Sequence, residues 1–573
     1  MELLERAFEV ALDSPEGIKK LRGLILSLAM QGKLVPPSPD DIPARVLLKT
    51  IGTERHRRIN EGKMKAAKPL RPIKTEDLPF SLPHGWEWVR LGDVAEAIRG
   101  VTYPKSQANA EPFRQSVELL RANNIQRNIT LDETVFVPES NVSPFQILQF
   151  GDILIAMSSG SPHLVGKAAQ FTVDKRCTFG AFCAAIRPFE PFLFDFVDRY
   201  CQSPLYRAQT QAEGKGIGIQ NLNKEALLNL LLPLPPLHEQ RDIVSRIDEL
   251  MKLCDELERL QAERTEKRTR VNTAAVRQLL NVAEPEEHRK AAAFIGKHFE
   301  ELYATKENVA ELRKAILQLA VMGKLVPQDP TDPPARELLK QIEAEKKQLI
   351  EQRRIKAQKE LQQIDPESIP FPIPSSWAWI RFGNVTYKIT DGTHHTPKYA
   401  PDGVPFLSVK DMSTGALNFD DTRFITESEH KELIQRCDPQ KGDLLITKVG
   451  TTGIPVLVDT DRPFSIFVSV SLIKYPQHYI SGEYLKWTVN SPLVKKQSED
   501  GTEGVGNKNL VLRKIQNFIL PLPPLAEQKR IVAKTDQLMA LCDTLERQID
   551  DAGERQSDLL NAFVAQIGGW QCA

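Results

Sequence analysis

At 573 residues the chain is too long for one hydrophobic core, and several domains are expected. Hydrophobic residues make up 41%, no apolar run approaches the roughly 18 residues of a membrane span, and the acidic start Met1-Glu2-Leu3-Leu4-Glu5-Arg6 lacks the basic-then-apolar order of a signal peptide, so a cytoplasmic protein with no membrane partner is expected. Its 75 Lys and Arg balance 75 Asp and Glu, which argues against a stand-alone DNA binder with a basic excess.

The first predicted element is a short amphipathic helix. Ser14 is read as its N-cap and Pro15 as its first residue, Ile18, Leu21, Ile25 and Leu28 follow at helical spacing, and Gly32 ends it. A Pro/Asp turn at 36–40 leads into a polar stretch, and residues 54–74 carry eight Lys or Arg against Glu54 and Glu61. At Trp86-Glu87-Trp88 the composition changes. Strand signals begin, including a Gly-Asp entry turn in Gly151-Asp152-Ile153-Leu154-Ile155-Ala156. Alternation puts both indoles on one face, where core packing is expected. Residues 79–232 are read as a mixed α/β domain.

Pro233-Leu234-Pro235-Pro236-Leu237-His238-Glu239-Gln240 closes that domain and launches a long helix to about Leu280, roughly 60 Å. Ile243, Ile247, Leu250, Cys254 and Leu257 form a heptad seam along it. The same parts then return. Val309, Leu312, Ile316 and Leu319 precede Gly323, and a polar helix follows, clearest at 334–363, with seven Lys or Arg against four Glu over 340–360. Trp377-Ala378-Trp379 opens a second α/β domain at 370–520, with Gly442-Asp443-Leu444-Leu445-Ile446-Thr447 as its entry strand. Pro521-Leu522-Pro523-Pro524-Leu525-Ala526-Glu527-Gln528 repeats the proline motif 288 positions on, and 18 of 27 residues are identical between 233–259 and 521–547. Its helix carries Ile531, Leu538, Cys542 and Leu545. The helix ends at Leu21-Arg22 to Pro36 and Leu312-Arg313 to Pro327 match at an offset of 291. Two like seams in one chain predict an antiparallel coiled coil within a pseudo-two-fold tandem repeat. The fold class expected is α+β, with helical segments at 1–78, 233–369 and 521–573 around the two domains.

No Gly-rich phosphate loop or dinucleotide fingerprint occurs. Asp332-Pro333-Pro334 lacks a following aromatic and reads as a turn, like Asp41-Ile42-Pro43. His394-His395 has no third ligand nearby, and seven cysteines include no CxxC, so neither a metal nor a disulfide framework is expected. Cys254 and Cys542 fall on apolar helical positions and read as buried thiols. No catalytic residue is assigned.

The two domains do carry polar loops suited to reading DNA. The first offers Thr102, Tyr103 and Lys105, then Arg121, Asn123 and Asn124, then Lys215, Gln220 and Asn221 on a Gly-rich loop. The second offers Thr393, His394, His395, Thr396, Lys398 and Tyr399, then Lys410, then Asn507, Lys508 and Asn509. Arg reads guanine, Asn reads adenine, and Thr, Tyr and Lys reach phosphates.

The doubled Leu-Pro-Leu-Pro-Pro-Leu-x-Glu-Gln-x-x-Ile-Val motif resembles that of the specificity subunits of Type I restriction–modification systems. So do the Gly-Lys-Leu-Val-Pro helix ends and the Trp-x-Trp openings. The resemblance spans essentially the whole chain. It implies two target recognition domains, each reading half of a bipartite, asymmetric site in double-stranded DNA, with a coiled coil setting the spacer. It also implies two docked modification subunits with S-adenosylmethionine and the adenine N6-methyltransferase site, and restriction subunits using ATP and Mg. No cofactor is expected on this chain. The competing reading is a coiled-coil adaptor that binds only proteins.

Overall fold

The structure, a computed structural model, describes residues 2–568 apart from 14–15, 39, 65–68, 160–163, 214–219, 283 and 504–507. The chain divides into a first unit of residues 1–264 and 551–573 and a second of 265–550. Among the described residues no helix is long and apolar enough to cross a membrane.

The first unit opens with helices α1 (Glu2–Asp13), α2 (Gly17–Met30) and α3 (Ala44–Asn60). The expected start of α2 needs correction: the helix begins at Gly17 after Glu16, whose φ is 53°, while Ser14 and Pro15 lie outside the described residues. The end at Gly32 is built as the sequence suggests. Lys33 N donates to Leu28 O and Gly32 N to Ala29 O, with Gly32 at φ 64°. A Cβ there would stand 2.5 Å from Pro83 and 3.0 Å from Trp86. Gly323 repeats the arrangement, 2.5 Å from Pro374 and 3.2 Å from Trp377. The Gly-Lys-Leu-Val-Pro motif and the segment leading into Trp-x-Trp therefore answer one another: the helix end takes a positive φ and lies under a proline ring, with the indole beside it, so it needs a residue without a side chain.

Strands β1 (Glu87–Arg90), β2 (Ala95–Arg99), β3 (Ser116–Leu120), β4 (Val135–Pro138), β5 (Ile153–Ala156), β6 (Ala168–Gln170), β7 (Cys177–Phe179), β8 (Cys183–Pro188) and β9 (Leu231–Leu234) build the first domain. An antiparallel sheet runs β2-β8-β5-β6, a second runs β4-β3-β7 with β3 and β7 parallel, and β9 returns to pair β1. The proline motif thus lies directly opposite the tryptophan strand, with Trp88 facing Pro233. Both indoles join the first core, with exposed Glu87 between them: Trp86 precedes β1 and is buried, and Trp88 is half-buried against the Phe80 ring, centroids 5.0 Å apart. Beyond β9, α4 (Leu237–Asn281) runs 45 residues.

The second unit repeats the plan. Helices α5 (Lys306–Val321) and α6 (Ala335–Glu351) precede β10 (Ala378–Arg381), β11 (Lys388–Asp391), β12 (Tyr399–Ala400), β13 (Val404–Leu407), β14 (Arg423–Ile425), β15 (Leu444–Thr447), β16 (Pro455–Leu457), β17 (Ser465–Ile466), β18 (Val470–Lys474) and β19 (Ile519–Leu522). Sheet β11-β18-β15-β16 matches the four-stranded sheet of the first unit, β14-β13-β17 matches its three-stranded one with β12 added at the edge, and β10 pairs β19. The polar helix expected to reach 363 stops at Glu351. Arg353 takes φ 56° and Arg354 N donates to Leu349 O, so the basic run beyond it leaves the helix. The turn at Asp332 is held by Arg530 at 2.6 Å. The last helix, α7 (Leu525–Gly568), spans 44 residues.

Each proline motif is locked by its own glutamine. Gln240 Nε2 donates to Pro235 O and Gln528 Nε2 to Pro523 O. In the second copy Trp377 Nε1 donates to the buried Glu527 carboxylate at 2.9 Å. The glutamine lock is common to both copies, and the second adds the tryptophan–glutamate hydrogen bond.

The seam is where the packing departs from a simple helix pair. In the first unit Ile243, Ile247, Leu250 and Cys254 share one core with Leu21, Leu24 and Ile25 of α2 and with Leu560 and Phe563 from the tail of α7, and Leu257 lies at its edge. In the second, Met539 and Cys542 share a core with Val309 and Ile316 of α5 and with Ala275 and Leu279 from the tail of α4, with Leu538 and Leu545 at its edge. Ile531 is buried beside Trp377. Each unit packs the head of one long helix with the tail of the other, the order of an antiparallel pair, and adds a third helix that the heptad pattern did not announce. Arg22 binds Asp255 and Glu258, and its counterpart Arg313 binds Asp543 and Glu546, so the Leu-Arg repeats clamp these third helices. Cys254 and Cys542 are buried, and burial pushes the Cys254 thiol up to about 11.

Candidate nucleic-acid interface

In both domains the first long loop leaves the sheet at a backbone crossing. After β2, a Cβ on Gly100 would stand 2.1 Å from Gly180 O; after β11, one on Gly392 would stand 1.9 Å from Ile466 O. Val101 bridges Gly180 and Thr393 bridges Phe467, both parallel. Only glycine fits such a crossing, so loops 101–109 and 393–399 spring from equivalent anchors.

In the first domain Thr102 and Lys105 are exposed, and Tyr103 packs half-buried against Val101, Leu119 and Val137. Arg121 is exposed, with Nη2 donating to Glu133 O at 2.7 Å, and Asn123 is exposed beside it. Asn124 corrects the sequence reading. It is fully buried; its Oδ1 accepts from Arg121 N, and its Nδ2 donates to Thr130 O and Asp132 O. With its amide consumed, Asn124 shapes the turn and offers nothing to a base. Asn221 is exposed on a short strand in which Gln220 pairs Ser159, and Lys215 lies outside the described residues.

In the second domain Thr393 is buried, not displayed as the sequence reading expected. Its Oγ1 lies 2.9 Å from His395 Nδ1 and accepts from His395 N, closing the base of the loop. His394, His395, Thr396 and Lys398 are exposed. His395 Nε2 lies 3.5 Å from Glu429, and Lys410 donates to Asp421 O. Tyr399 is 41% exposed, with the Arg423 guanidinium 4.4 Å above its ring. Such stacking holds an arginine flat while leaving its edge donors open. Lys508 is exposed, Asn509 is half-buried opposite Glu503, and Asn507 lies outside the described residues.

Behind loop 393–399 sits a charged knot that the sequence reading missed. Asp391 is buried and meets Lys448 at 2.8 Å, Arg436 at 2.5 Å and His394 Nε2 at 3.2 Å. Burial pushes the Asp391 carboxyl up, but the Lys448 and His394 contacts outweigh it and hold the group below its ordinary range. Asp391, Arg436 and Lys448 are separated by 45 and 57 positions from first to each partner, so no local spacing betrays them. Among the described residues no three His, Cys, Asp or Glu side chains converge as a metal site would require. The geometry offers directional donors on loops over rigid sheets, an arrangement suited to recognition.

The chain matches the family described as Type I restriction modification DNA specificity domain, twice, over residues 83–266 and 374–553. It is 30% identical over 559 residues to the Type I restriction enzyme EcoAI specificity subunit of Escherichia coli, covering 96% of this chain and 93% of that one. It is 28% identical to the EcoEI specificity subunit of Escherichia coli, again covering 96% and 93%. Among solved structures, a chain from a study of complex assembly and conformational transition of the type I R-M system aligns with a TM-score of 0.52 at 18% identity, covering 85% of this chain and 99% of that one, and so shares the fold. Two matched domains, a tandem scaffold and relatives along its whole length place the chain in the family of specificity subunits of Type I restriction–modification systems, with two DNA-recognition domains.

Proposed function

We propose that this chain is the non-catalytic address of its complex: residues 79–232 read one half of a bipartite, asymmetric DNA site and residues 370–520 the other. The single observation that carries this reading is the contrast between frame and loops. The two domains share strand order, glycine crossing and proline lock, while the side chains on the equivalent loops differ in kind. A frame used twice with different contents suits two unlike half-sites. Thr102, Lys105, Arg121, Asn123 and Asn221 are the contacts assigned to the first half, and His394, His395, Thr396, Lys398, Tyr399 and Lys508 to the second. The helices at 1–78, 233–369 and 521–573 set the spacer and dock two modification subunits. S-adenosylmethionine, ATP and Mg belong to those partners and to the restriction subunits, and the partners supply much of the phosphate contact that a chain of zero net charge lacks.

Methylome sequencing of cells expressing the chain with a modification partner tests this directly, returning both half-sites and the spacer. Exchanging residues 79–232 for another recognition domain changes one half of the motif only; a change in both halves refutes the assignment. Inserting four or seven residues after Gln240 changes the spacer and leaves both halves intact. Failure of the assembled complex to retain DNA favours a protein-only adaptor instead.

A further inference from the structure

The knot at Asp391 has a feature that loop anchoring does not require. One carboxylate, 4% exposed, faces two cations: Lys448, 6% exposed, and Arg436, 56% exposed. Lys448 alone neutralises it. The second cation is held at the surface, with the Arg436 backbone fixed as well: Lys388 Nζ donates to its carbonyl, and the neighbouring Cys437 is buried in the core. Only Nη2 of the guanidinium is engaged, donating to Asp391; His394 Nε2 lies 3.4 Å from it but is turned to the same carboxylate, and Nε and Nη1 donate to nothing among the described residues, so a fork of Nη2 with a neighbouring nitrogen stays open.

Resting on the half-site reading above, we infer that Arg436 is a specificity-determining residue of the second domain, reading a guanine edge, and that Asp391 is its positioning residue. Three observations support this. First, pinning an arginine on a buried carboxylate fixes the plane of its guanidinium and aims the remaining donors, where a lysine would supply charge without direction; a fixed fork matches guanine O6 and N7, and the salt slope below separates that from a fork laid on phosphate. Second, the knot belongs to one domain alone. By strand register Asp391 corresponds to Arg99, and Lys448 follows β15 as Met157 follows β5, so the first domain has neither the carboxylate nor the buried lysine. A shared structural support would be repeated, as Asp152 and Asp443 are, each accepting from the backbone N three residues earlier. Third, the knot lies at the root of loop 393–399, and His394 from that loop closes it.

The test uses the full chain with its modification partner. Methylome sequencing of the wild-type complex first defines the motif; one that is not bipartite overturns the function proposed above and this inference with it. With a bipartite motif in hand, methylation rates are measured on duplexes varied singly at each position of the second half-site, with Arg436→Lys and Arg436→Ala. Arg436→Lys keeps the charge and loses the fork. Both variants lose discrimination at one guanine by roughly 10- to 100-fold, while the first half-site is read as before and the salt slope of the lysine variant is unchanged. The double variant Asp391→Asn/Lys448→Met leaves no unpaired buried charge and copies the apolar choice at Met157; it relaxes the same position with Arg436 still present. A second half-site without guanine, or an unchanged one in the Arg436 variants, overturns the inference alone. So does a uniform loss across all duplexes with a smaller salt slope, which marks a phosphate contact.

Discussion

Arg99 and Asp391 occupy the same place in the repeated sheet and carry opposite charge. Arg99 pairs Ala184, which faces Ile155; Asp391 pairs Ser471, which faces Ile446. Each is the last strand residue before the glycine crossing. The Arg99 guanidinium is exposed, whereas Asp391 is buried under cations drawn from elsewhere in its domain. Arg99→Ala in the assembled complex therefore weakens methylation of duplexes through the first half-site only, and lowers the slope of log affinity against log salt by about 1 if the contact is to phosphate. Duplexes varied in one half at a time separate the two effects.

Gly100→Ala and Gly392→Ala are expected to be far more damaging than their small size suggests. Each added methyl would stand about 2 Å from a backbone oxygen of the crossing strand, where no flexible side chain can yield. Each variant should disorder the loop of its own domain and abolish one half-site while leaving the other domain's melting transition in place. Differential scanning calorimetry and methylation of single-half variants check this together.

Asp198 gives the first unit a measurable response to acid. It is buried on the helix Phe194–Gln202; burial pushes its carboxyl up to about 6 even though Arg199 and Gln202 pull the other way. The folded state thus holds a proton between pH 4 and 6 that the unfolded state releases, so this group's contribution to stability falls as pH rises through that window. Above pH 6 the penalty is full, on the order of 2–3 kcal/mol. Asp198→Asn removes the slope, and its melting temperature relative to wild type should gain from pH 4 to about pH 6 and level off above that.

The seam predicts unequal costs at equivalent positions. Leu250 is buried between α2 and the tail of α7, while its counterpart Leu538 sits at the edge of its core and Met539 takes the inner place. Leu250→Ala should cost about 3 kcal/mol and Leu538→Ala less than half of that, read from urea midpoints of the transition that each variant shifts. Equal shifts would mean that the two helices are packed alike.

The scaffold was legible in the sequence because its constraints are local and repeated. Gly32 and Gly323, the proline motifs and the helix of 45 residues all follow from patterns within a few positions of one another. The third helix of each core was not, since Leu21 and Ile25 form an ordinary amphipathic stripe that names no partner. The loop residues were legible only as surface chemistry. Asn124 looks like a reader in a polar run, yet a single 3-10 turn at Ala122–Asn124 swings it inward. Arg436 and Arg423 stand in unremarkable surroundings and acquire meaning only through Asp391 and Tyr399, which the fold brings to them.

The first unit draws residues from both extremes of the described chain: Ala7 and Leu21 share their core with Leu560 and Phe563, and Lys20 Nζ reaches Ser557 O at 3.4 Å. Stretches more than five hundred positions apart therefore meet in one core, and closing them carries a loop-entropy cost that the local packing of α1 on α2 does not. Removing residues 551–568 would uncover the apolar faces of α2 and of the head of α4 while leaving Met539 and Cys542 in the second unit's own core.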